Sequence, residues 1–375
     1  MTKIHELAEL GQAVWLDYIR RSFVTGGQLK ALIDMGLRGI TSNPTIFEKA
    51  IAHSSDYDAD IQQLTARGKS VDEIFLTLTV EDIQLAADLL RPVYDRTNGA
   101  DGFVSLEVNP TLARDSVGTL AEARRLWSLV NRPNLMVKIP ATREGLPAIA
   151  SAIAAGLNIN VTLIFALERY DEVMEAYLSG LEQRLANGQP LDQISSVASF
   201  FVSRVDTKVD KLLQVLESQG GLQAEQASRL MGHAAVANAR LAYTRFEAIF
   251  RDQRFKRLYE HGAQVQRPLW ASTSTKNPSY SDILYVQELI GSQTINTVPQ
   301  ETLEAFLDHG VVRLTLEEGK DQARQDLQSL DDLGISMVQV TQELEDEGVG
   351  AFAKSFISLI DSLKLKRQRL LEGGE

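Results

Sequence analysis

The sequence has no cysteine among its 375 residues, and this absence removes several kinds of chemistry at once. Disulfides, thiolate metal ligands and cysteine nucleophiles are all excluded. Histidine is scarce as well, because the five histidines stand far apart and never at the paired helical spacing typical of zinc sites. We therefore expect no metal and no cofactor, and carboxylates from distant segments are the remaining candidates for metal ligands.

Long apolar runs and an excess of positive charge are missing too. No segment approaches the length of a membrane span, and residues 1–10 lack the apolar core of a signal peptide, so we expect a cytoplasmic protein without a membrane partner. The 38 basic residues against 50 acidic ones give a formal net charge of −12. This balance disfavours nucleic acid as a partner, and any anionic ligand must be met by local positive groups.

Short apolar segments alternate with helical patterns along most of the chain. The helical patterns cover residues 3–10, 28–35, 56–94, 119–130, 146–155 and 222–250, with a loop at 187–190 and a charged insertion at 251–266. Strands are predicted at residues 13–17, 39–44, 102–108, 135–141, 158–165, 195–202, 267–272 and 294–298. Strands separated by helices indicate parallel pairing, as in an α/β protein.

The faces of these strands indicate how the sheet is arranged. In the third strand Ser105 and Glu107 share one face while Val104, Leu106 and Val108 share the other. A polar inner face and an apolar outer face predict a closed sheet, a (β/α)8 TIM barrel. We expect a single domain over residues 1–375, although this length would also fit two domains, with the barrel at about 13–310 and a C-terminal helical extension at about 311–375.

The extension ends in a pattern typical of a packed helix. Its large apolar residues recur at helical spacing and are expected to pack on the barrel: Phe352, Phe356, Leu359, Ile360 and Leu363.

Lys138 is the only charge in the apolar run at residues 135–141. Crowding a lysine with apolar neighbours disfavours its charged form, and a neutral lysine is a nucleophile. The alternative is a lysine that ends a strand and extends its ammonium group into solvent.

Several polar side chains fall on inward positions near the carboxyl ends of the predicted strands, where barrel enzymes have their active sites. They are Asp17, Thr41, Asn43, Glu107, Lys138, Asn160, Thr162 and Ser199. A buried lysine flanked by carboxylates and amides suits Schiff-base chemistry on a carbonyl substrate. Structural alternatives are ion pairing of Lys138 with the two carboxylates, and capping of strand-end loops by the amides and Thr162.

Five segments resemble, in order, the successive motifs of the transaldolase family. The resemblance runs from about residue 13 to 300, and the last motif is most similar to the bacterial branch of longer chains. The segments are Gly39-Ile-Thr-Ser-Asn-Pro-Thr, Val104-Ser-Leu-Glu-Val, Leu135-Met-Val-Lys-Ile-Pro-Ala-Thr, Asn158-Ile-Asn-Val-Thr-Leu-Ile-Phe and Trp270-Ala-Ser-Thr-Ser-Thr-Lys-Asn-Pro.

The resemblance implies a class I aldolase mechanism in the non-oxidative pentose phosphate pathway. A dihydroxyacetone unit would move from sedoheptulose 7-phosphate or fructose 6-phosphate to glyceraldehyde 3-phosphate or erythrose 4-phosphate. By position, Lys138 would form the Schiff base and Asp17 would be the acid and base of carbon–carbon cleavage. Glu107 would serve carbinolamine formation and breakdown through a water held near Thr162.

The same resemblance assigns the substrate-binding residues. Asn43, Asn160 and Ser199 would hold the hydroxyls of the three-carbon unit, Thr41 would support the water network, and Phe201 would line the site. Arg204, Ser274 and Lys276 would bind the phosphate. Much of the family has arginine where this chain has Lys276, which puts the phosphate geometry in question.

Two other functions remain open at this point. A fructose 6-phosphate aldolase would share the barrel and the lysine but release free dihydroxyacetone; such chains are shorter and lack the glutamate, so the length and Glu107 favour transfer. A catalytically silent barrel would bind sugar phosphates as a sensor or scaffold, with Lys138 protonated and ion-paired. The sequence leaves the oligomeric state open between a monomer and a homodimer.

Overall fold

A computed structural model describes residues 2–372 and shows a closed barrel of parallel strands in chain order. Each strand pairs with the next, and the last pairs with the first. The strands are β1 (Gln12–Leu16), β2 (Gly39–Ile40), β3 (Phe103–Glu107), β4 (Leu135–Pro140), β5 (Ile159–Ile164), β6 (Ser196–Phe201), β7 (Arg267–Ala271) and β8 (Thr294–Val298). The predicted (β/α)8 barrel is confirmed.

Helices connect the strands and extend the chain beyond the barrel, and Pro110–Leu112 forms a short 3₁₀ turn. Within residues 2–372 the α-helices are α1 (Lys3–Glu9), α2 (Arg21–Thr25), α3 (Gln28–Asp34), α4 (Pro44–Ala52), α5 (Asp58–Ala66), α6 (Val71–Arg96), α7 (Ser116–Val130), α8 (Gly145–Ala154), α9 (Leu167–Ala186), α10 (Ser203–Gln219), α11 (Leu222–Leu230), α12 (Ala234–Phe250), α13 (Gln253–Glu260), α14 (Leu284–Glu288), α15 (Gln300–His309), α16 (Lys320–Asp332) and α17 (Met337–Glu372).

Two large aromatic side chains pack against each other on the inward face of the sheet. Trp15 is fully buried, and its ring lies 6.3 Å from that of Phe103. Gly39 on the neighbouring strand makes this packing possible, because a Cβ there would lie 2.5 Å from the Trp15 indole. Phe103 also shares its strand face with Ser105 and Glu107, so the inward face changes from aromatic to polar along β3.

The prediction of a second strand reaching Pro44 is wrong. The strand ends at Ile40, and Pro44 is the first residue of α4. Proline suits this position because the first helical residues have no intrahelical acceptor for their N–H groups. The Asn43 side chain caps the helix by accepting a hydrogen bond from the backbone N–H of Ile46, at 3.0 Å.

Two long helical predictions are also wrong, because each contains a turn. The stretch 56–94 is divided between α5 and α6, with Gly68 at φ 75° and Ser70 forming a capping box at the start of α6. The stretch 222–250 is divided at Gly232, also at φ 75°. The charged insertion at 251–266 contains α13.

The helix α17 packs on the barrel as predicted. Phe352, Leu359 and Leu363 are buried, and the ring of Phe356 lies 5.6 Å from that of Phe75 on α6. Ion pairs hold α17 to the barrel helices, and one joins Glu345 to a buried arginine of α9 at 3.2 Å.

The single-domain organisation stays a prediction, and Met1 and residues 373–375 lie outside the described residues. Among residues 2–372, no helix is both long enough and apolar enough to cross a membrane.

Candidate active site

A cavity of about 930 Å³ opens where the strands of the barrel end. Glu107 and Asn160 do not line it, but each contacts a residue that does. The predicted site residues that line the cavity are Asp17, Thr41, Asn43, Lys138, Thr162, Ser199, Phe201, Arg204, Ser274 and Lys276.

Lys138 lies on β4 directly beside Glu107 on β3, because the register of the two strands pairs these residues. Lys138 is only 4% exposed, so the alternative of an ammonium group extended into solvent is wrong. Its Nζ lies 3.4 Å from Oε2 of Glu107 and donates to the carbonyl oxygen of Ser42 at 3.3 Å. The ring of Phe352 from α17 lies 5.6 Å from the same Nζ.

The Glu107 side chain is buried, at 3% exposure, and neither carboxyl oxygen has a hydrogen-bond partner among residues 2–372. Burial raises the pKa of Glu107 to about 7, and the nearby charge of Lys138 opposes this rise. Of the ion pairs named as a structural alternative, the one between Lys138 and Glu107 is present. Its carboxyl can gain or lose a proton near neutral pH.

Asp17 follows β1 and accepts a hydrogen bond from the Thr41 hydroxyl at 2.7 Å. Burial raises the pKa of Asp17 above its usual range, while Lys138, Thr41 and Arg204 lower it. The Thr41 hydroxyl is also 2.7 Å from the hydroxyl of Thr297, a residue that the sequence analysis missed. Thr297 lies near the carboxyl end of the predicted strand at 294–298. The other candidate residues were identified by this same position, so the criterion could have found Thr297 as well.

Asn160 is fully buried in a chain of hydrogen bonds across three strands. Its Nδ2 donates to the Ser105 hydroxyl at 3.0 Å, and its Oδ1 accepts from the Ser199 hydroxyl at 2.7 Å. Both polar atoms of the amide therefore bond to side chains on other strands, and neither caps a strand-end loop. Ser105 lies on the predicted inward face but is not among the predicted site residues, and it fixes the orientation of the Asn160 amide.

Thr162 lies at a distorted part of β5. Its hydroxyl is buried and has no hydrogen-bond partner in the part of the chain that the structure describes. The next residue, Leu163, has φ 61°, and the pairing with β6 shifts register between Val161 and Ile164. Positive φ is strained for a bulky side chain, and such bulges often re-aim side chains next to active sites.

Three groups suited to an anion border the cavity on the side of β6 and β7. Arg204, on the first turn of α10, lies with its guanidinium carbon 5.3 Å from the Phe201 ring centroid and forms no ion pair within residues 2–372. Lys276 donates to the Ser274 hydroxyl at 2.6 Å in the loop after β7. A planar arginine donor and a mobile lysine charge are the usual protein partners of phosphate.

A closed parallel barrel with a buried lysine beside a glutamate, at the ends of its strands, is the arrangement that a (β/α)8 enzyme acting through a lysine would need. Residues 14–363 match the profile of the Transaldolase/Fructose-6-phosphate aldolase family, and the chain belongs to this family.

Similar proteins cover nearly the whole chain. It is 52% identical to a transaldolase of Thermobifida fusca over 96% of each chain. It is 50% identical to a transaldolase of Saccharopolyspora erythraea and 45% identical to one of Trichodesmium erythraeum, in both cases over 97% of each chain.

Proposed function

We propose that the protein is a transaldolase that carries a dihydroxyacetone unit on Lys138 and transfers it between sugar phosphates. The observation that supports this most strongly is the buried contact of 3.4 Å between Lys138 and Glu107, at a cavity large enough for a sugar phosphate. Membership of the family agrees with this chemistry. The relatives at about 50% identity are named transaldolases, which favours transfer over release of the unit.

In the first step the Lys138 amine attacks the ketone carbon of the donor. Glu107, beside the amine, moves the protons that convert the carbinolamine into an iminium ion with loss of water. Its pKa of about 7 suits this role, because the carboxyl can act as base and then as acid at neutral pH.

In the second step Asp17 takes the proton from the hydroxyl at C4 of the bound ketose. The bond between C3 and C4 breaks, its electron pair moves into the iminium to form an enamine, and the aldose phosphate leaves. The Thr41 hydrogen bond holds the Asp17 carboxylate in position. An acceptor aldose phosphate then takes the unit by the reverse of these steps, and Asp17 returns the proton.

The remaining residues bind and orient the sugar phosphate. Arg204, Ser274 and Lys276 bind the phosphate, while Ser199, Thr162 and the amides of Asn43 and Asn160 organise the hydroxyls and the water. Phe201 forms an apolar wall of the cavity. The proposed setting is the pentose phosphate pathway in the cytoplasm, with small sugar phosphates as partners and no cofactor. A monomer and a homodimer are both compatible with this function.

Borohydride reduction in the presence of fructose 6-phosphate, followed by peptide mass mapping, tests the proposal. We expect a three-carbon adduct on Lys138, and transfer to erythrose 4-phosphate at a rate well above release of free dihydroxyacetone. Release without transfer would favour the aldolase function instead. A folded protein without any adduct would overturn both and leave a barrel that only binds sugar phosphates.

Glu107→Gln is expected to slow formation of the imine by roughly 10²-fold, because glutamine cannot exchange a proton. In the unchanged protein the rate of imine formation should rise with pH through about 7, as Glu107 becomes ionised. Trapping the imine after short times across this range measures both effects, and the Glu107 inflection should be missing in the variant. Asp17→Asn is the control: it should keep the inflection at a lower pH, because the Asp17 charge raises the pKa of Glu107.

Phe352→Ala is expected to increase the share of donor that is hydrolysed instead of transferred. Phe352 is 5% exposed and lines the cavity near Lys138, so its removal admits water to the enamine. The truncation should also cost about 3–5 kcal/mol of unfolding free energy. Leu359→Ala is the control, because it removes a buried side chain from the same helix away from the cavity. If both variants hydrolyse the same share of the donor, Phe352 does not exclude water.

A further inference from the structure

The groups proposed to bind phosphate belong to two separate elements. Arg204 lies on the first turn of α10, whereas Ser274 and Lys276 lie in the loop 272–283 after β7. The two elements meet at Ser203 and Ser272, where the Ser203 N–H donates to the Ser272 carbonyl at 3.0 Å. Beyond that contact, the position of the loop relative to α10 must be set by other interactions.

Two buried acids lie one helical turn apart on α10. Asp206 is 1% exposed and Asp210 is 6% exposed, and neither is ion-paired with a basic side chain in the described part of the chain. Burying carboxylates away from cations is costly unless hydrogen bonds satisfy their oxygens. Their hydrogen-bond partners therefore indicate what these acids hold in place.

Each of the two acids accepts a hydrogen bond from a tyrosine that comes after Ser274 and Lys276 in the sequence. The Tyr280 hydroxyl donates to Oδ2 of Asp210 at 2.8 Å, and the Tyr285 hydroxyl donates to Oδ2 of Asp206 at 2.9 Å. The opposite oxygens accept from backbone N–H groups before and within α12. The Gly232 N–H donates to Oδ1 of Asp210 at 3.0 Å, and the Ala235 N–H donates to Oδ1 of Asp206 at 2.7 Å. A Cβ at Gly232 would lie 2.9 Å from the Tyr280 ring, so glycine there leaves room for the tyrosine.

We propose that Tyr280, held by Asp210, is a positioning residue that sets the specificity of this enzyme for phosphorylated substrates. The bond joins the loop that carries Ser274 and Lys276 to the helix that carries Arg204, and so keeps both sets of donors at one separation. If the loop became ordered only when phosphate binds, the cost of ordering it would weaken the affinity for phosphate. This inference rests on the proposed function for its substrate, because it assumes that the cavity takes sugar phosphates.

Tyr280→Phe removes the hydroxyl and keeps the ring. We expect the dissociation constant for inorganic phosphate, measured by calorimetry, and the KM for fructose 6-phosphate to rise roughly five- to tenfold. With saturating donor, KM for glyceraldehyde 3-phosphate as acceptor should rise similarly, while KM for unphosphorylated glyceraldehyde and kcat should stay within about twofold.

Tyr177→Phe is the matched control, because its hydroxyl donates to the Gln264 carbonyl at 2.7 Å, before the amino end of β7 and away from the cavity. This variant should lose comparable stability without any change in phosphate binding. The proposal is overturned if Tyr280→Phe leaves the affinity for phosphate unchanged, or weakens both acceptors equally. Failure to trap an adduct on Lys138 would instead refute the proposed function, and the calorimetric result would still report on the loop.

Discussion

Replacing Lys138 by arginine is expected to reduce kcat/KM for transfer on the order of 10⁴-fold or more. Arginine keeps a positive charge near Glu107, which lies 3.4 Å from the lysine nitrogen, but a guanidinium does not lose its proton in proteins and cannot form the imine. The variant therefore separates a covalent role from an electrostatic one. Coupled assay of transfer and borohydride trapping measure both rate and adduct.

Lys276→Arg is the control for this substitution. It makes the same chemical change in the same cavity, but at an exposed residue proposed to contact phosphate. This variant should keep the adduct on Lys138 and most of the activity, because arginine also donates hydrogen bonds to phosphate. Substantial transfer by a folded Lys138→Arg protein would show that the reaction does not pass through an imine at this residue.

Asp17→Asn is expected to give the second largest loss, about 10²- to 10⁴-fold in the rate of transfer. Asparagine keeps the shape of the side chain and can still accept from Thr41, but it cannot take the proton of the C4 hydroxyl. The imine with intact donor should still form on Lys138. Borohydride trapping should therefore yield a six-carbon adduct in this variant where the unchanged protein yields the three-carbon adduct.

Thr41→Val provides a graded comparison. It removes the hydroxyl that donates to Asp17 at 2.7 Å, so the carboxylate stays but loses its support. We expect a smaller loss of roughly tenfold, with the three-carbon adduct still formed. A three-carbon adduct that appears in Asp17→Asn at the normal rate would show that another group takes the proton during cleavage.

The helix boundaries show where local patterns were insufficient. The stretches 56–94 and 222–250 satisfied helical periodicity throughout, yet each contains a glycine at φ 75° that turns the chain. The pattern at 39–44 predicts a strand that ends at Pro44, but proline equally suits the first turn of a helix, and Asn43 before it is the cap. In these places one residue type fits two local structures, and packing decides between them.

The sequence by itself determined the barrel and placed most of the candidate site residues at its mouth. Alternation with a period of two is a local property, so it assigned Glu107 and Thr162 to inward positions without knowledge of the fold. Lys138 was identified by a different local property, as the only charge in the apolar run at 135–141. Since the carboxyl ends of parallel strands meet at one end of a barrel, the sequence also predicted that these residues would lie together.

Only the tertiary structure decided distances, burial and contacts between distant segments. The register of β3 with β4 places Glu107 and Lys138 3.4 Å apart, and burial then raises the pKa of Glu107 to about 7. The packing of α17 places Phe352 beside Lys138, more than two hundred residues earlier in the sequence. The packing of the loop after β7 against α10 places Tyr280 within hydrogen-bonding distance of Asp210. No local pattern contains this information, because such contacts depend on how whole elements pack against one another.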